Sequence, residues 1–159
     1  MGLDMYLSRK NYVKNWNHMN ASELHEVSVK RGGEVRGDIK PERISYIVEQ
    51  VGYWRKANQI HNWFVETCQG GVDECQEVYV SIDQMKELAD LCRQVILDPS
   101  KAEELLPTSS GFFFGSTDID EWYIEQLRYT ADRLTELVKI AENESKNDNY
   151  ISFYYQSSW

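Results

Sequence analysis

Hydrophobic and polar positions alternate from the start of the chain. Leu3, Met5 and Leu7 interleave with Asp4, Tyr6 and Ser8, a period of two that predicts a half-buried strand within Gly2–Tyr12. A hairpin is expected over Leu24–Ile39, with Glu26–Val29 alternating, Arg31-Gly32-Gly33 at the turn and Glu34–Arg36 returning. Pro41 stands at a helix-start position. From Glu42 to Cys68 the periodicity reads as one unbroken helix, about 40 Å long at 1.5 Å per residue. Ile47, Val51, Trp54, Ala57, Phe64, Val65 and Cys68 share one broad face of it. Gln69-Gly70-Gly71 ends that helix.

Further along, Glu77–Ser81 predicts a short strand, and Ser81-Ile82-Asp83-Gln84 is a capping box. It opens a helix with the stripe Met85, Leu88, Ala89, Cys92, Val95 and Ile96, closed by Pro99. Lys101–Leu106 predicts one more helical turn, ended by Pro107. Thr108–Asp118 reads as loop, strand and loop between Gly111 and Gly115, with Phe112–Phe114 as a buried strand or an oligomer contact. Thr117 or Asp118 then caps a long helix, Ile119–Glu144. Asn143–Asn149 is polar and turn-like, and Ile151–Tyr155 predicts a last strand in an aromatic tail that ends on Trp159. No repeat of 20–50 residues is visible. The pattern predicts a single globular domain over 1–159, class α+β: three main helices packed on a small mixed or antiparallel sheet of four to five short strands.

Composition supports a folded core, with 42% apolar residues and 13% aromatics in 159 residues. Charge is unevenly placed. Residues 1–56 hold ten Lys/Arg against seven Asp/Glu, and residues 57–159 hold seven against nineteen. That balance argues against duplex nucleic acid as a partner and leaves room for a local anion site in the first third. The acidic remainder would suit a basic protein partner. The three cysteines, Cys68, Cys75 and Cys92, form no CxxC pair, which predicts reduced thiols in a cytoplasmic protein. No apolar run approaches a membrane span, so no membrane partner is expected.

The candidate chemistry lies on the central segment. Asn58 and His61 fall inside its apolar stripe, where burying them costs free energy unless each finds a partner. With Trp54, Arg55 and Asn62 they suit a purine, ribose and phosphate ligand. Trp54 would stack on the base, Arg55 would pair with phosphate, and Asn58, His61 and Asn62 would fix polar groups. Ser109, Ser110 and Thr117 would contact the ligand from the facing loop. The alternative is that Asn58 and His61 bond to the protein's own backbone and Arg55 pairs with an acidic residue. The glycine spacing of 108–118 is not a phosphate loop and lacks its lysine. No metal is expected: His61, Cys68 and Cys75, like His18 and His25, stand seven apart and match no ligand spacing. No catalytic residue and no cofactor are assigned. His61 and Cys68 would be about 10 Å apart on a helix, too far for a nucleophile–base pair.

MGLDMYL at the start, YWRKANQIHNWFV in the central segment, LLPTSSGFFFGS and the closing FYYQSSW resemble a family of small proteins carried by tailed bacteriophages and prophages. The resemblance covers nearly the whole chain. It implies a genomic setting, the cytoplasm of an infected bacterial host, and no catalytic residues. In that setting the expected function is anti-defence: a homo-oligomeric sponge that binds and sequesters a small nucleotide-derived immune signal without catalysis. The alternatives are an acidic protein–protein inhibitor of a host enzyme, and a small hydrolase of a nucleotide signal with His61 as base.

Overall fold

The computed structural model describes residues 2–145 and 150–159. Strand β1 is Asp4–Tyr12, and the hairpin is reduced to β2, Lys30–Arg31, paired with β3, Glu34–Val35. The Glu26–Val29 arm is not a strand. Strand β4 is Tyr46–Arg55 and helix α1 is Asn58–Cys68. Strand β5, Val78–Val80, precedes α2, Ile82–Leu97, whose capping box closes through Gln84 N–H on Ser81 Oγ at 3.1 Å and Ser81 N–H on Gln84 Oε1 at 2.9 Å. The turn after Pro99 becomes a 3-10 turn and α3, Ala102–Leu105. Helix α4 is Glu121–Ser145 and strand β6 is Ile151–Ser158. Of the turn expected over Asn143–Asn149, residues 143–145 are instead the last residues of α4, and 146–149 lie outside the described residues.

The single helix expected over Glu42–Cys68 is instead a strand followed by a helix. Tyr46–Arg55 is rich in β-branched and aromatic residues, and it pairs antiparallel with β1 along its whole length. Leu7 pairs with Gly52 and Ser8 with Gln50, so Val51 is an extra residue in β4, a β-bulge. The bulge turns Val51 and Gly52 both inward, ahead of buried Trp54. Val51 and Trp54 therefore share a face at a spacing of three, the spacing of a helix. Gly52 is required there: a Cβ would meet Leu7 Cβ and the Trp54 ring, each at 3.1 Å. Lys56, at φ +55°, makes the corner into α1.

The four-stranded sheet runs β4-β1-β6-β5, all antiparallel. Its core face carries Leu3, Met5, Leu7, Trp54, Phe153 and Tyr155, all buried. Onto this face pack Ile60 and Phe64 of α1, Leu88 and Cys92 of α2, and Leu127 and Leu134 of α4. The fold is thus α+β, with α1, α2 and α4 as the main helices. The opposite face presents Tyr6, Tyr53, Tyr79 and Tyr154, half-buried to exposed. Helix α4 also shields the free edge of β4: Tyr53 N–H donates to Tyr129 Oη at 3.2 Å, and Arg133 Nε donates to the Val51 carbonyl. Among the described residues no helix is long and apolar enough to cross a membrane.

Candidate functional site

The segment 108–118 is a loop and contains no strand. Phe112 is 95% exposed, while Phe113 and Phe114 are half-buried. The loop is held from outside itself. Asn58 Nδ2 donates to the carbonyls of Phe114 at 3.0 Å and Ser116 at 2.8 Å, and Asn58 Oδ1 accepts from Ser109 N–H at 3.0 Å. Leu3 N–H donates to the Phe113 carbonyl at 3.0 Å. One buried amide, 1% exposed, therefore clamps both ends of the loop. Gly115 sits at φ +83°, where a Cβ would meet Lys56 Cβ at 3.0 Å, so the loop backbone lies directly against the Lys56 corner.

The other sequence-predicted residues are dispersed. Trp54 is buried on the sheet, and its Nε1 donates to Thr130 Oγ1 at 2.8 Å. Arg55 is exposed and pairs with Asp4 at 3.4 Å. His61 is 1% exposed and both ring nitrogens are engaged. Nε2 lies 2.7 Å from Asp73 Oδ2 and Nδ1 lies 2.6 Å from Tyr155 Oη. A carboxylate can only accept, so Nε2 donates and Nδ1 is left to accept from the Tyr155 hydroxyl. Trp159 Nε1 adds a third donor, at 3.0 Å from the same Asp73 oxygen. This chain staples α1 to the 72–76 turn and to the end of β6. Asn62 is half-buried on α1, Ser110 and Thr117 are exposed, and of the three loop residues predicted to contact a ligand Ser109 is the one that bonds to Asn58. The structure thus joins Asn58 with Ser109 and does not gather Trp54, Arg55 and His61 around one opening.

An opening does exist one residue away from Asn58. A cavity of about 100 Å³ lies where the Lys56 corner, the first turn of α1, the loop and the start of α4 meet. That volume holds several waters or the edge of one planar ring. Gln59 Nε2 donates to Gln126 Oε1 at 2.8 Å and, more weakly, to the Tyr123 carbonyl at 3.5 Å. The carbonyl fixes the orientation of the Gln59 amide, which in turn fixes that of Gln126. Gln126 forms part of the wall, is 8% exposed, and its Nε2 has no hydrogen-bond partner. The rim carries Lys56, Ser116, Asp118, Asp120 and Trp122, the indole of which is 64% exposed. Asp120 Oδ1 is taken by Tyr123 N–H at 3.0 Å, capping α4. Asp118 donates its own N–H to Ser116 Oγ at 3.0 Å, and among the described residues no hydrogen bond or ion pair engages its carboxylate.

Sequence reasoning passed over Gln59, Gln126, Asp73 and Trp122. Gln59 and Gln126 were findable by the criterion that singled out Asn58, a polar side chain on a face that packs inward. Asp73 carried no such signal. Among the described residues no group of three or more His, Cys, Asp or Glu could hold a metal, and Cys68, Cys75 and Cys92 are free. Burial pushes the Cys68 thiol up to about 11 and the Cys92 thiol up to about 12. Neither is a thiolate at neutral pH. No family model, no curated protein and no solved structure matches the chain.

Proposed function

We propose that this chain is a non-catalytic binding protein that takes a small nucleotide-derived ligand into the cavity beside Lys56 and Trp122. In the phage setting implied by the resemblance, it sequesters a nucleotide immune signal of the host, as a homo-oligomer. The supporting observation is the cavity itself, whose rim brings together an exposed aromatic residue, Trp122, and an exposed cation, Lys56. Trp122 offers a ring for stacking and Lys56 a cation for phosphate. The ligand-contacting roles first assigned to Trp54 and His61 pass to Trp122 and Lys56 at the cavity rim, because the former pair are closed off by protein partners. Those partners also leave His61 no free nitrogen with which to act as a general base. The test is a thermal shift against linear and cyclic nucleotides, with chromatography of the ligand released by heating. A shift with intact ligand is expected, and Lys56→Ala and Trp122→Ala should each reduce it. Altered ligand would make the protein an enzyme, and no shift with any nucleotide would overturn the reading.

One observation favours a second reading. Exposed Ile119 and Trp122 alternate with Asp118, Asp120 and Glu121 at the start of α4, apolar groups with an acidic border that suit a basic protein surface. That reading expects salt-dependent binding to a basic host protein and no nucleotide-induced shift.

A further inference from the structure

The outer face of the sheet carries a row of tyrosines that leads into a cleft at one end. Tyr6 lies against Tyr53 with ring centroids 5.5 Å apart, and Tyr79 against Tyr154 at 6.0 Å. Six residues along β1 on the same face, about 20 Å away, stands Tyr12. It meets Tyr46 at 5.1 Å and Tyr150 at 5.8 Å, both edge to face. Trp16 Nε1 donates to Tyr12 Oη at 2.9 Å, which fixes the indole beside them. Trp16 and Tyr46 are about half exposed and Tyr150 more so, a grouping of large rings in water that marks a binding surface. The cleft between this cluster and residues 14–25 measures about 1370 Å³ and shares no lining residue with the cavity beside Lys56. Pockets for one small ligand run to about 300–1,000 Å³, so the cleft suits several linked units better than one. We infer that this face and cleft bind single-stranded nucleic acid, with little regard to sequence.

Charge selects the occupant. Among the residues of β1, β4 and β6 that share the face of Tyr6, Asp4 is the single carboxylate, and Arg55 and the Tyr53 hydroxyl both engage it. Lys10 belongs to this face and Lys14 to the cleft. Lys10 Nζ stands 4.2 Å over the Tyr46 ring, and Lys14 Nζ donates to the Glu42 carbonyl at 2.8 Å. Among the described residues neither lysine has a carboxylate partner, so both are open to an anion. Glu23, the one acidic residue of the cleft lining, accepts Asn20 N–H at 2.8 Å. In a chain of net charge −9, this face is therefore poor in acid and sets two unpaired cations among exposed rings. The bases of a single strand have free π faces for Trp16 and Tyr150, and its phosphates would meet Lys10 and Lys14. A duplex keeps its base faces inside the stack and offers the rings nothing. Each stacked base contributes about 5- to 150-fold in affinity, whatever its identity.

The test is fluorescence anisotropy of labelled oligo(dT) and oligo(U) of about 12 nucleotides with the full chain, against a DNA duplex of the same length. It is repeated with Trp16→Ala and Lys10→Gln. Trp16 is exposed and glutamine keeps most of the lysine stem, so both variants should fold, which unfolding midpoints check. At least one of the two single strands should bind at least about tenfold tighter than the duplex, and the pair of them tells DNA from RNA. Trp16→Ala should weaken that binding by about 5- to 150-fold. Two lysines on phosphate give a slope of log affinity on log salt of about −1.4, which Lys10→Gln should bring to about −0.7. A duplex bound as tightly would overturn the proposal. So would an affinity and a salt slope indifferent to both variants, the result expected of a strand held only at the cavity beside Trp122. Failure to bind either strand would overturn it too; if Trp16→Ala then turned a dimer into a monomer in sedimentation, the face would be a contact between two copies of the chain.

Discussion

Replacing Asn58 by alanine removes three hydrogen bonds from one buried point, two to the carbonyls of Phe114 and Ser116 and one from Ser109 N–H. Each such bond contributes about 0.5–1.5 kcal/mol net. The stranded loop groups lie near the surface, with Phe114 half-buried and Ser116 exposed, so water can reach them. The lower part of that range therefore applies, for a total of roughly 1.5–3 kcal/mol. In a domain of this size 1 kcal/mol moves the melting temperature by about 2–4 °C, so a fall of roughly 3–12 °C is expected. Urea unfolding at pH 7 should show a lower midpoint at an unchanged slope. Limited proteolysis below the transition should cut first within 109–116. The effect should reach the cavity as well, since Gly115 and Ser116 line it. Nucleotide affinity should then fall in folded Asn58→Ala protein. A destabilisation below about 0.5 kcal/mol, the range of ordinary surface changes, would refute the clamp.

Two further outcomes follow from buried groups elsewhere. His61→Leu leaves the Tyr155 hydroxyl and the Asp73 carboxylate short of a partner, so denaturant unfolding should register a loss of about 2–4 kcal/mol; nucleotide affinity in the folded variant should stay within about threefold, and a selective loss of binding would return His61 to the site. Stability should be flat at neutral pH and decline as pH rises past about 9. Burial raises the thiols of Cys92 and Cys68 from 9.0 to about 12 and about 11, and it also raises the hydroxyls of Tyr123 and Tyr155, so the unfolded chain releases these protons first. Urea midpoints between pH 8 and 11 should fall for the wild-type chain and less steeply for Cys92→Ala; parallel curves would remove Cys92 from the explanation.

The elements legible in the sequence were those whose side chains follow a simple period. β1 alternates cleanly, α2 announces itself with Ser81 and Gln84, and β6 shows Phe153 and Tyr155 on one face. The segment from Tyr46 to Lys56 failed because the bulge at Val51 replaces a period of two with a spacing of three, imitating a helix. Phe112–Phe114 failed because a run of three aromatics resembles a buried strand, whereas the backbone there is satisfied by the Asn58 amide and by Leu3. The site was legible in part for a related reason. A polar residue in an apolar stripe is visible in a sequence, but whether it is satisfied depends on partners far along the chain. The partners of Asn58 are more than 50 residues away, and Tyr155 stands 94 residues from His61. Asn58 and His61 turn out to be saturated, and the open valence is on Gln126, 67 residues from Gln59.

That open valence can be weighed by replacing Gln126 with leucine. The change strands the buried Gln59 Nε2 donor with only its long contact to the Tyr123 carbonyl, a loss of about 1–3 kcal/mol. It also removes a buried donor that has no partner, a gain of about 1–3 kcal/mol. The balance for the ligand-free protein therefore lies within about 2 kcal/mol of neutral, although a buried hydrogen-bonded glutamine has been lost. The stability change of the ligand-free protein is the same whether or not a ligand uses the amide, so binding is read beside it. Unfolding midpoints and nucleotide titrations on the same protein separate an amide that a ligand uses from one kept only for structure. Weakened binding in the folded variant means that the amide is held unsatisfied for a ligand. Unchanged binding would make Gln126 a structural group and leave the cavity without its deepest contact.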